Sequence, residues 1–165
     1  MSRTGESVSG EAATFHRLAP APADTRRLGR VFGRSSPDGA VILVEGGLGA
    51  GKTTFAQGVA EGCGVAGPVS SPTYNLVLHY AGRRPFVHAD FYRLAGPEEL
   101  ETVDLEEVLS PAGLAVVEWP ELVAGRARPP YAVISLVHDG GGRRIAGRLV
   151  GSGWSAVRKA LEAGG

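Results

Sequence analysis

Residues 41–57 read VILVEGGLGAGKTTFAQ, an apolar run, then four glycines within six positions, then a lysine and two threonines. No other feature constrains the fold as strongly. Val41–Val44 is a continuous apolar run cut off by glycines, and such a run needs cover on both faces, as in the middle of a parallel sheet. Beyond the glycines, Phe55, Ala56, Val59 and Ala60 fall at helical spacing, with Gly62 and Gly64 at the end. A buried strand feeding a helix through a glycine turn predicts a layered α/β fold.

The turn itself carries chemistry. Gly46, Gly47, Leu48, Gly49, Ala50, Gly51, Lys52 and Thr53 fit G-x-x-x-x-G-K-[ST] at every position. A polyphosphate needs many donors in a small volume. Backbone N–H groups supply them where glycine lets the chain curl tightly, and the following helix points its N-terminal dipole at the anion. Thr53 offers a hydroxyl to Mg²⁺, and Thr54 follows it into the helix. The chain has only two lysines, Lys52 and Lys159, among 17 Lys and Arg. A thin stem with a point charge threads along phosphates where a planar guanidinium would not fit. The expected ligand is therefore a nucleoside triphosphate with Mg²⁺, contacted by residues Gly46 to Thr54.

Such a site needs a carboxylate at the end of a neighbouring strand. Leu114–Val117 ending in Glu118 is the favoured source, and Phe86–Ala89 ending in Asp90 is a similar one. Glu118 is assigned to Mg²⁺ with Thr53, and Asp90 to a second layer or to orienting water. Trp119 either shields the site or packs in the core. Thr73, in Ser71-Pro72-Thr73-Tyr74, is either a γ-phosphate sensor or part of a plain loop. His88 is either a base or a hydrogen-bonded neighbour.

Elsewhere, residues 21–34 predict a helix starting near Ala23 or Asp24, with Leu28, Val31 and Phe32 on one face. Residues 73–80 and 84–92 predict a strand pair that could form a hairpin. Residues 96–109 form an acidic helical region started near Pro97. Residues 130–150 read as two strands around a glycine turn, and a last helix is capped near Ser152. The elements together predict an α/β layer fold with some antiparallel strands. Residues 1–13 are expected to be a short disordered lead to one P-loop domain spanning 14–165.

The 17 acidic residues balance the 17 basic ones, which argues against a grip on nucleic acid by bulk charge. Cys63 is the only cysteine, so no disulfide can form within the chain. No apolar run approaches a membrane span, and the start lacks a signal core. A cytoplasmic protein without membrane contact is expected.

In order, LGAGKTTF, SPTYNLV, HADFYRL and VEW, with the DTRRLGR helix before them, resemble the TsaE (YjeE-type) P-loop ATPases, which assist threonylcarbamoyladenosine (t6A) formation on tRNA. The resemblance spans roughly residues 14 to 150. It implies a P-loop NTPase-like three-layer α/β fold with central parallel strands flanked by antiparallel ones, that Lys52, Thr53 and the loop amides bind ATP, that Thr53 and Glu118 hold Mg²⁺, that Asp90 is needed for activity and that Thr73 belongs to a switch-like loop. Arg144 is matched with a family arginine near the nucleotide. The partners implied are TsaD-like and TsaB-like proteins, with tRNA reached indirectly through their complex, and the ATPase is weak until they join. Two departures stand out. Gly47 replaces a usual acidic residue, and ETVDLEEVL lacks a usual Leu-Gly.

Three rivals share the loop. A small-molecule kinase would need an acceptor pocket and an arginine lid, for which Arg83 and Arg84, or Arg126 and Arg128, are available. A GTPase would need N-K-x-D, but the sole asparagine, Asn75, precedes Leu76. A nucleotide-gated binding module would need no hydrolysis at all.

Overall fold

The computed structural model describes residues 12–164. Seven strands form one sheet: β1 (Ala13–Ala19), β2 (Ala40–Glu45), β3 (Val77–Tyr80), β4 (Phe86–Asp90), β5 (Leu114–Glu118), β6 (Tyr131–Asp139) and β7 (Gly142–Val150). Their order is β1-β7-β6-β2-β5-β4-β3. The four central strands, β6-β2-β5-β4, run parallel, while β1, β7 and β3 pair antiparallel at the flanks. The predicted class is the one observed.

Strands β2, β4 and β5 are buried on both faces, while β6 alternates buried with half-buried residues. On β2, Ala40, Ile42 and Val44 enter one core, and Val41 and Leu43 enter the other. On β5, Leu114 and Val116 separate from Ala115 and Val117 in the same way. The first core is covered by α1 (Pro22–Ser35), α2 (Lys52–Gly62) and α4 (Ser155–Glu162), with Phe32, Phe55 and Trp154 clustered between them. The second core has a thinner cover of α3 (Leu105–Leu109) and 3₁₀ turns.

Helices α1 and α2 touch backbone to backbone. A Cβ on Gly29 would stand 2.3 Å from the Phe55 carbonyl oxygen, and one on Gly33 would stand 2.1 Å from that of Val59. In return, a Cβ on Gly58 would stand 2.1 Å from the Arg26 carbonyl oxygen and one on Gly62 2.4 Å from that of Arg30. Each helix thus presents two glycines four residues apart, on one face. This contact fixes where α2, and the loop before it, sits on the sheet. At its rim, Arg26 and Arg30 both bind Glu61, and hydrogen bonding from Arg26 holds the Glu61 carboxyl below its usual range.

Four local expectations are corrected. β1 was not foreseen, and only the last two residues of the predicted lead fall within the described residues, with Ala13 already in β1. The strand expected from Thr73 starts at Val77, because Leu76 adopts a left-handed φ of 61°. The acidic segment breaks into a 3₁₀ turn at Pro97–Thr102 and α3, because Asp104 accepts from the Glu106 and Glu107 amides and starts a new helix. The last helix begins at Ser155, without a side-chain cap. Among the described residues no helix is long and apolar enough to cross a membrane.

Candidate functional site

Parallel strands β2, β5 and β4 end at the same edge, where Val44 is opposite Glu118 and Glu118 opposite Asp90. The crevice beyond such carboxyl ends is where open α/β sheets bind ligands. Here it receives the glycine loop. Gly51 precedes α2 with φ 102°, a left-handed conformation that disfavours any Cβ. A Cβ on Gly46 would stand 2.7 Å from the Leu136 carbonyl. At Gly47 a Cβ would meet nothing within 4 Å, so the acidic side chain usual in the TsaE pattern has room there.

Lys52 curls back over the loop. Its Nζ donates to the Gly46 and Gly47 carbonyls, both at 2.8 Å, and lies 4.1 Å from the centre of the Trp119 ring. Only 5 % of the residue is exposed. Burial pushes the ammonium below its ordinary pKa, and the carboxylates of Glu118, Asp90 and Glu121 oppose that shift. Trp119 turns sharply out of β5 with φ 54° and stacks on Tyr92 at 4.8 Å, so the indole does lie against the loop lysine.

Glu118 is buried at the end of β5. Thr53 Oγ1 donates to its Oε1 at 3.0 Å, and His88 Nε2 lies 2.6 Å from its Oε2. A carboxylate only accepts, so Nε2 carries the proton and His88 is the hydrogen-bonded neighbour. His88 is fully buried, and its Nδ1 has no partner among the described residues. His88→Ala should lower stability by about 3 kcal/mol through a lost charge-assisted hydrogen bond and a new cavity. His88→Gln, which keeps a donor, should recover part of it. Urea unfolding of the three proteins checks this, and equal midpoints would contradict it.

Asp90 serves a different segment. Its Oδ2 accepts from Ser71 Oγ at 3.0 Å and Thr73 Oγ1 at 3.2 Å, and its Oδ1 from the Tyr92 amide at 3.0 Å. Thr73 thereby reaches the site. Ser71 and Tyr92 were not among the expected site residues, although Ser71 stood within the quoted SPTY. A cleft of about 330 Å³ gathers Leu48, Gly49, Gly51, Lys52, Thr53, Thr54, Thr73, Asp90 and Glu118. A second cavity, of about 150 Å³, lies against Gly49, Gly51 and Thr54 and includes Thr25 and Arg143.

Arg144 is not brought to the loop. It is exposed and lies 3.3 Å from Asp139. Arg143, one position earlier and so on the other side of β7, reaches the loop and donates to the Ala50 and Gly49 carbonyls at 2.8 Å each. Sequence offered no signal to separate the two, because strand register decides it. Of the arginines that a kinase lid could use, Arg83 and Arg84 serve elsewhere. Arg83 binds the Gly62 carbonyl, and Arg84 binds the Ser36 carbonyl and Asp38, at the end of α2 opposite the loop.

A magnesium ion suits these donors. Thr53 and Glu118 present only oxygen, the ligand type Mg²⁺ takes, and Mg²⁺ is usually bound by one or two protein oxygens plus phosphate. Among the described residues no group of three or more His, Cys, Asp or Glu is placed to hold a metal without such a ligand.

The family described as threonylcarbamoyl adenosine biosynthesis protein TsaE matches residues 19–145. A tRNA threonylcarbamoyladenosine biosynthesis protein TsaE of Treponema pallidum is 42 % identical over 110 residues, covering 67 % of this chain and 81 % of the relative. One of a Nostoc species is 37 % identical over 127 residues, covering 73 % and 76 %. The crystal structure of Bacillus subtilis YdiB superposes with a TM-score of 0.73 at 26 % identity, covering 96 % of this chain and 99 % of that one.

Proposed function

The chain belongs to the TsaE family, and we propose that it is an ATP-binding, ATP-hydrolysing accessory protein of tRNA t6A modification. One observation carries the ATP reading: Lys52, Thr53 and Glu118 meet at the carboxyl end of β2 and β5, beside the first turn of α2. The first amides of α2 have no partner inside the helix and are free to donate to phosphate. Lys52 exchanges its two loop carbonyls for phosphate oxygens. Thr53 and Glu118 hold Mg²⁺, which, when bound, neutralises charge developing on the phosphates. His88 keeps the Glu118 carboxylate turned toward Thr53. Asp90 orients water, and through its bonds to Ser71 and Thr73 it couples the 71–73 segment to the nucleotide.

The catalytic residues of this reading are Lys52, Thr73, Asp90 and Glu118. Gly46–Thr54 binds ATP, with Arg143 rather than Arg144 beside it. The protein is cytoplasmic and turns over ATP slowly by itself. TsaD-like and TsaB-like partners raise that rate, and it meets tRNA only through their complex. Exposed Leu48, Tyr74 and Tyr92 stand on segments around the cleft and suit a docked partner better than bulk water.

Mass spectrometry of bulk tRNA nucleosides after depletion of this protein tests the reading. Loss of t6A, restored by the natural chain and not by Glu118→Ala, is the expected result. Unchanged t6A under complete depletion would refute it.

A further inference from the structure

The phosphate loop is held from its carbonyl side by two cations. Lys52 takes Gly46 and Gly47. Arg143 takes the other pair: its Nε donates to Ala50 and its Nη2 to Gly49, and its Nη1 closes on the Gly142 carbonyl, all at 2.8 Å. A guanidinium presents donors in a fixed plane, so two carbonyls held together are fixed in direction as well as position.

In a trans peptide the carbonyl and the next N–H point in opposite directions. Holding the Ala50 carbonyl on Arg143 therefore turns the Gly51 N–H away from the guanidinium. Holding the Gly49 carbonyl fixes the Ala50 N–H, which donates to Gly47 at 3.2 Å. A loop with four glycines has much backbone freedom to lose. Arg143 is itself well anchored. It pairs with His138 of β6 and Ala19 of β1, and the neighbouring Gly142 lies so close that a Cβ there would stand 2.7 Å from the Ala19 carbonyl.

We propose that Arg143 is a positioning residue that locks the phosphate loop in its anion-ready shape, by gripping the Gly49 and Ala50 carbonyls from β7. Its consequence for ATP rests on the nucleotide reading above, but its grip on the loop does not. The role differs from that of a lid arginine, because the guanidinium is engaged with backbone rather than phosphate.

The test uses the full chain with Arg143→Gln, Arg143→Lys and, as control, Arg144→Gln. Amide hydrogen exchange in the free protein and the affinity for a fluorescent ATP analogue are measured for each. Both Arg143 variants should exchange the Ala50 amide, which is held on the Gly47 carbonyl, about tenfold faster and bind about tenfold more weakly, while Arg144→Gln matches the natural chain. Lysine should not restore either reading, since one ammonium does not reproduce the fork.

Unchanged loop exchange would overturn the proposal. So would full restoration by lysine, which would leave only a charge effect, or faster exchange spread evenly over the chain, which would leave only a loss of stability. If the natural chain fails to bind the analogue while loop exchange still responds to Arg143, the ATP reading falls and the grip on the loop stands.

Discussion

Lys52→Ala should abolish measurable nucleotide binding at concentrations expected to saturate the natural chain. The side chain is almost fully buried and already bonded to two carbonyls, so its ammonium waits at the loop instead of being drawn in from solvent. Truncating a buried, hydrogen-bonded charge costs about 2–5 kcal/mol of binding, roughly a factor of 30 to several thousand. The loss is compounded locally. Without Lys52, the Gly46 and Gly47 carbonyls lose their shared donor, and the Trp119 ring loses its cation. Lys52→Arg should not rescue, because a planar fork does not fit where one point charge serves both carbonyls. Titration with a fluorescent ATP analogue, alongside circular dichroism to show an intact fold, decides the matter. A folded Lys52→Ala with unchanged affinity would show that the loop holds no phosphate.

The second large effect is on stability, and its sign is unusual. Replacing a helical glycine by alanine normally stabilises by up to about 1 kcal/mol. Gly58→Ala should instead destabilise by about 3 kcal/mol or more, because the new methyl would stand 2.1 Å from the Arg26 carbonyl oxygen and 2.9 Å from its carbon. Neither atom is the free end of a side chain, so α1 and α2 must separate. Gly33→Ala, at 2.1 Å from the Val59 carbonyl, should behave alike. Guanidinium unfolding measures both. A variant as stable as the natural chain would mean that the helices slide apart without loss, and the loop before α2 would then not be fixed by this contact.

What the sequence made legible follows from how local each feature is. The glycine loop is specified by eight consecutive residues, so its place between β2 and α2 could be read directly. Strands β2 and β5 were legible because burial on both faces leaves an unbroken apolar run. β1 was not, since Phe15 is its only large inward-facing apolar residue and its partner is β7, at the other end of the chain. The bonds from Ser71 and Thr73 to Asp90 join a loop to a strand end, and no spacing announces them. The glycines Gly29, Gly33, Gly58 and Gly62 look like weak points in helices until two helices are seen to meet there. Arg143 and Arg144 have the same chemistry, and only the register of β7 decides which one faces the loop.

The strand order also sets a schedule for synthesis. Ala13 pairs with Leu149, so β1 leaves the ribosome long before the strand it needs exists. β2 likewise waits for β5 and β6. Ala50 is made 93 residues ahead of the arginine that grips it. A nascent chain can wind α1 and α2 and seat their glycines early, while the sheet behind them is still missing its central partners. The phosphate loop therefore acquires its final shape almost as the last strand is released, and a polypeptide cut short before β7 carries the whole motif without the arginine that grips the Gly49 and Ala50 carbonyls.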